Sequence, residues 1–274
     1  PSTEFTTGSA AATTGLYYSQ RLIYVPVGLF GVAMSVVCLP AMSRASARGD
    51  AHELVRRLRY SIRHVLFLTL PVVLLLAVSG PAGIRLLFEW GSFDAQSTRE
   101  TAWALFFYLP GIPAFACAKV AVTPFHAQQD TRTPVRVAAF CMVLNVVLNL
   151  VLMQFLRHGG LALATTVCSA VNVTVLFCLF RRRVGSLGMR RLLPGLLQVS
   201  AAAALCLVVA AAVLRTAVPA DNGTLPARAA AVALPCAAGG AAYLIAAYFL
   251  RVPELRELAA AGAGRFRRRN GPDG

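Results

Sequence analysis

Few side chains in this sequence have the chemistry to bind a ligand from within an apolar setting, and they are spaced apart. Arg21 stands in YYSQRLIYVPVGLFGVAM (17–34), at the start of about twenty residues with no other charge, with Tyr18 and Gln20 supplying a hydroxyl and an amide beside it. A guanidinium in such a place either reaches back to water or faces a cavity, where its planar fork suits bidentate capture of phosphate or carboxylate. Lys119, the only lysine, lies in a second apolar run and has the same two options. Asn145 and Asn149 are spaced i, i+4 and so share one helical face. With Thr165 they are candidates for a small-cation site of neutral oxygens, although hydrogen bonding between helices is the better account of them.

The remaining chemistry is thin. All eleven acids fall between or beyond the apolar runs, which argues against an acidic proton relay or a two-carboxylate mechanism within them. The histidines (His52, His64, His126, His158) sit at the ends of runs, and no HExxH, nucleophile elbow or phosphate-cradling glycine loop is present. An enzyme is disfavoured. The seven cysteines show no metal-ligand spacing and read as small buried hydrophobes.

The elements that position these residues are set by composition. Of 274 residues 57% are hydrophobic and only 14% charged, with mean hydropathy +0.65, against about 25% charged in a soluble domain. Apolar runs of eighteen or more residues recur, enough at about 1.5 Å per residue to cross a ~30 Å hydrocarbon core. The fold class expected is an all-α polytopic membrane protein of about seven transmembrane helices, at 17–41, 64–84, 101–123, 135–156, 160–180, 192–214 and 228–250. A β-barrel would need shorter, strictly alternating strands.

The formal charge of +15 sorts by side, which argues against nucleic acid as a partner. Arg85, Arg99, Arg157, Arg215 and Arg228 fall on one side, and Arg21 and Lys119 within spans. The rest lie opposite, six of them in a loop at 42–63. Positive charge marks the cytoplasmic face, so the first residues are expected outside and the C-terminus inside. An outside start with no preceding helix implies upstream spans. Pro26, Gly28 and Gly31 in the first span, and Pro110 and Pro113 in the third, are bend signals, and Pro26, Gly28, Pro110 and Pro113 are candidate hinges. The second span is expected to end at SGPAG, and Thr133 followed by Pro134 to cap the fourth.

In order and spacing, GLYYSQRLIYVPVGLFGVAMSVVCLPAMSRASARGD, FEWGSFDAQSTRETAWAL, AKVAVTPFHAQQDTRTPVRVA and GGLALATTVCSAVN resemble the C-terminal half of the MurJ/MviN family, bacterial inner-membrane flippases for lipid II. The resemblance implies the lobe of a flippase of the MOP exporter superfamily. Residues 1–16 would be an extracytoplasmic loop, 17–183 five lobe helices, 184–250 two additional helices forming a lipid-tail groove, and 251–274 a basic cytoplasmic tail. It implies a substrate site containing Arg21, Gln20, Tyr18 and Lys119, with Arg21 as a cavity arginine for the pyrophosphate headgroup. Gln20 departs from the aspartate common in relatives, and Gln128 from a basic residue. The implied partners are lipid II, membrane lipids and an N-terminal lobe of the same protein. No cofactor is implied beyond a coupling cation (Na+ or H+) or the membrane potential, and the mechanism is alternating access. A flippase for another polyprenyl-linked glycan and a non-transporting scaffold paralogue are the alternatives.

Overall fold

Apolar runs this long in lipid satisfy their backbone groups only as helices, and helices are what the chain forms. The computed structural model describes residues 23–88, 95–156, 158–185, 188, 192–216 and 225–257. In chain order the helices are α1 (23–47), α2 (Ala51–Phe88), α3 (Ala95–Tyr108), α4 (Gly111–Ala127), α5 (Arg132–Leu156), α6 (His158–Val184), α7 (Leu193–Thr216) and α8 (Leu225–Phe249), followed by a helical turn at 253–257. Six are long and apolar enough to cross a membrane by themselves. A seventh crossing is the pair Thr98–Tyr108 and Gly111–Ala127, bent by 50°. The sequence expectation of about seven spans is met. Tyr18, Gln20 and Arg21, with residues 1–16 and most of the tail, lie outside the described residues.

Several boundaries differ from those expected. The segment 42–63 is not a loop: α1 continues to Ala47, and α2 begins at Ala51 after a tight turn. Gly49 takes a left-handed φ of +68° there, and Asp50 N–H donates to the Ala45 carbonyl. The Asp50 carboxylate then accepts the Glu53 N–H and starts the next helix. The six arginines of that segment are therefore mostly helical, with Leu54, Val55, Leu58 and Ile62 buried on the opposite face. Nor does the second helix end at SGPAG. Helix α2 runs through Pro71 and Pro81 to Phe88, 38 residues and about 57 Å, almost twice the hydrocarbon thickness.

The cap of α5 is Asp130 rather than Thr133. Its carboxylate accepts both the N–H (3.0 Å) and the hydroxyl (2.6 Å) of Thr133, which already lies inside the helix. Glu100 falls within the third crossing, so the spans are not free of acids. Cys178 is exposed and Cys236 half-buried, against the expectation that all seven cysteines are buried. The sequence forecasts these poorly because an apolar face turned to lipid looks the same in composition as one turned to protein.

Three clusters of side chains hold the bundle. One joins α1, α2, α4, α5 and α6 at the arginine-rich end, around Met42, Leu58, Val120, Phe125, Leu176 and Phe180. Another joins α1, α2, α3, α4 and α6 toward the opposite end, around Ile23, Val27, Ile84, Leu105 and Ile112. The third seats the antiparallel pair α7/α8 on α2, through Phe67, Val199, Cys206, Tyr243 and Ala247. Small residues permit that approach: a Cβ on Gly239 would stand 2.8 Å from Leu75 and 3.0 Å from Ala210. Tyr243 donates its hydroxyl to the Phe67 carbonyl at 2.6 Å. The tail begins as packed structure, with Val252 and Glu254 buried and the Glu254 carboxylate accepting from Arg63 of α2.

Candidate functional site

Helices α1, α4 and α6 build the wall that the candidate residues occupy. Pro26 has no N–H to donate, and the six residues after it, Val27–Val32, form a π-helical segment whose wider turn holds Gly28 and Gly31. Such segments recur at functional sites in helices. Gly31 is where α1 and α4 meet: a Cβ there would stand 3.0 Å from both the Cα and the carbonyl oxygen of Ala116. At Gly28 there is nothing within 4 Å. One turn further along the seam, Thr123 donates to the Ser35 hydroxyl at 3.2 Å.

The break between α3 and α4 lies at Leu109–Pro110, as the proline signal predicts, and Pro110 occupies the N-cap of α4. Pro113 falls in the first turn of α4, where backbone N–H groups have no helical acceptor, and produces no second bend. Thr166 of α6 donates to the Phe107 carbonyl at 2.9 Å, satisfying one of the groups that the break frees. Gly111 makes room for it, since a Cβ at 111 would stand 2.6 Å from the Thr166 hydroxyl oxygen.

A cleft of about 30 Å³ opens beside this break, lined by Ile23, Tyr24, Val27, Tyr108, Phe115 and Thr165. Thr165 donates to the Leu161 carbonyl and lines the cleft together with Tyr108. Asn149 donates its amide to Asn145 at 3.0 Å. Neither asparagine lines the cleft that Thr165 enters, so the structure joins the two asparagines and sets Thr165 in a different environment. The Asn149 amide oxygen is buried without a hydrogen-bond partner. Among the described residues no group of three His, Cys, Asp or Glu side chains could hold a metal ion.

Lys119 is exposed, on a helix most of whose residues are buried. The open stripe of α4 runs through Phe115, Lys119, Val122 and His126 at helical spacing. Lys119 is eight residues, or about 12 Å, short of the end of α4 at Ala127, deeper than the sequence placement implied. A lysine ammonium reaches roughly 6 Å from its Cα, five bonds of about 1.5 Å in zigzag. That reach covers about half the distance to the polar turn at 128–131.

The segment QQDTRTP closes the arginine-rich end of the same wall. Gln129 adopts a left-handed φ of +59°, and Asp130 N–H donates to the Phe125 carbonyl. Arg183, at the end of α6, pairs with Asp130 at 2.6 Å, donates to Thr133 at 2.8 Å and lies 5.3 Å from the centre of the Phe125 ring. The Thr133 hydroxyl and N–H, and then the Arg183 guanidinium, hold the Asp130 carboxyl well below the usual carboxylate range. Sequence reasoning singled out this motif without its partner, because Arg183 is fifty residues away.

A sequence profile described as "Lipid II flippase MurJ" matches residues 2–226. The proteins named "Probable lipid II flippase MurJ" of Vibrio cholerae and Rhizobium meliloti are each 36% identical, over 162 and 175 residues, or 59% and 64% of this chain. The "Lipid II flippase MurJ" of Burkholderia cenocepacia is 32% identical over 172 residues. The matched stretch spans 31% to 33% of these relatives' lengths. A solved structure titled "Lipid II flippase MurJ, inward closed conformation" superposes with a TM-score of 0.70 at 24% identity, over 88% of this chain and 47% of that one. At that identity the superposition speaks for the fold.

Proposed function

The chain belongs to the MurJ lipid II flippase family, and from that premise we propose that it is the C-terminal part of a flippase for the undecaprenyl-pyrophosphate-linked peptidoglycan precursor in the bacterial inner membrane. The observation that carries this reading is Lys119, a cation exposed at membrane depth on the open stripe of α4. A pyrophosphate headgroup needs cations where it crosses. The family resemblance adds Arg21, with Tyr18 and Gln20, to the proposed substrate site.

Helices α1–α6 act as the C-terminal lobe, an N-terminal lobe of the same protein faces them, and the headgroup passes between. Helices α7 and α8 carry the polyprenyl tail along a groove, so that only the headgroup leaves the lipid. The arginine-rich ends face the cytoplasm, as does the C-terminus. Lobes rocking against each other give alternating access, and bending falls on the π-helical segment after Pro26 and on the break at Leu109–Pro110. An inside-negative membrane potential favours outward passage of an anion by about 2.3 kcal/mol per charge per 100 mV. A coupling Na+ would find neutral oxygens at Asn145 and Asn149, or at Thr165.

Complementation tests the reading. Cells depleted of their own lipid II flippase receive the complete gene, as wild type, Arg21→Ala or Lys119→Met. Growth with wild type and none with the variants is expected. No growth with wild type sinks the flippase reading, and growth with a variant sinks the role of that residue.

A further inference from the structure

A second polar cleft lies at the arginine-rich end, away from the wall of α1, α4 and α6. It has a volume of about 310 Å³ and is lined by Arg56, Arg59, Tyr60, Arg63, His64, Leu192, Glu254 and Glu257. Three helical segments enclose it: the amphipathic start of α2, the start of α7 and the turn at 253–257. We propose that this cleft is a binding site for the phosphate of an anionic phospholipid headgroup, with Arg59 as its principal ligand.

Charge pairing leaves Arg59 as the excess cation. Arg56 and Arg57 share Glu53, Arg63 pairs with Glu254, and His64 stands 3.3 Å from Glu257. Among the described residues Arg59 has no carboxylate partner, and its Nε is buried without a hydrogen bond. His64 Nε2 and the second oxygen of Glu254 are also buried without one, so three of the six such side-chain atoms among the described residues belong to this cleft. Of these atoms the Arg59 Nε–H is the donor that an anionic partner would satisfy.

The backbone is shaped around the arginines. A Cβ on Gly188, which has a φ of +57°, would stand 3.1 Å from an Arg59 terminal nitrogen, and one on Gly195 would stand 3.0 Å from Arg63. Two glycines thus make room for two guanidinium groups that together face one opening. Arg63 is the last charged residue before the apolar stretch of α2, so the opening lies at headgroup level. Basic pockets between helices at that level are suited to lipid phosphates.

The test uses the complete protein in detergent, titrated with phosphatidylglycerol, phosphatidylcholine or inorganic phosphate and followed by native mass spectrometry and thermal unfolding. Phosphatidylglycerol is expected to bind and raise the Tm, and Arg59→Gln to weaken it about tenfold, as for a lost charge-assisted hydrogen bond. Arg59→Gln keeps every ion pair named above, so its lipid-free Tm should match wild type. Arg48→Gln, in the exposed turn after α1, should bind as wild type. Equal weakening by both variants would reduce the effect to general surface charge and overturn the proposal. Equal binding of phosphatidylcholine, or equal stabilisation by inorganic phosphate, would overturn it as well.

Discussion

Two glycines one turn apart in the π-helical segment of α1 should respond oppositely to the same substitution. Gly28→Ala adds a Cβ with nothing within 4 Å, and Gly31→Ala adds one 3.0 Å from the Cα and carbonyl oxygen of Ala116. Replacing a helical glycine by alanine gains about 0.5–1 kcal/mol at either position. That gain is common to both variants and cancels in their difference. What remains is contact. Carbon atoms pack best at about 3.5–4.0 Å, so α1 and α4 would have to part by roughly half an ångström along the seam. Both clashing atoms at 116 are backbone, and no rotamer change relieves them. Overpacking of this kind costs about 1–3 kcal/mol. Gly31→Ala should therefore be less stable than Gly28→Ala by about 1–3 kcal/mol, with Gly28→Ala at or above wild type. Unfolding of the purified protein in mixed micelles with increasing SDS, read by circular dichroism, measures the gap. Equal midpoints for the two variants would refute the close approach of α1 to α4. The same pair separates packing from bending, since under the hinge reading Gly28→Ala should stay folded but complement poorly.

Other perturbations probe the remaining contacts. Lys119→Met should weaken lipid II retention by ten- to a hundredfold, the worth of a charge-assisted contact of about 1.5–3 kcal/mol, while Lys119→Arg keeps most of it; unchanged retention in the methionine variant would remove Lys119 from the wall. Arg63→Ala should lower stability by about 3–5 kcal/mol because it strands the buried Glu254 carboxylate, whereas Glu254→Gln should cost less because Arg63 is 30% exposed and can be solvated. Comparing their denaturation midpoints decides it, and equal losses would contradict that asymmetry. Asp130 has its carboxyl held below the usual range in the folded state, so its contribution is present above about pH 4 and is lost as pH falls further toward the lowered value. Thermal unfolding between pH 7 and pH 3 should show that loss in wild type, and Asp130→Asn should flatten it; an identical pH profile in the variant would argue against the Asp130–Arg183 clasp.

The candidate site was legible in part. The proline at 110 announced its break, whereas Pro71 and Pro81 lie inside the continuous α2, so a missing N–H alone does not decide where a helix breaks. Lys119 was visible as a lone cation, but its distance from the end of α4 was not, because the span was expected to close at 123 and the helix runs on to Ala127. The asparagine pair followed from i, i+4 spacing and is joined by a hydrogen bond. Thr165 was grouped with it by polarity alone, and the structure places Thr165 against Tyr108.

The sequence by itself determined the number of crossings and the sorting of charge between the two ends. Both follow from the transfer free energy of one segment at a time, a sum over neighbours in the chain. Tertiary structure decided what depends on groups remote in sequence: Gly31 against Ala116, Arg183 on Asp130, and Glu254 buried against Arg63, 191 residues away. It also decided that 42–63 is mostly helix, because the buried face of that arginine-rich segment needs α4 to cover it. Charge alone reads as a loop, and packing makes it a helix.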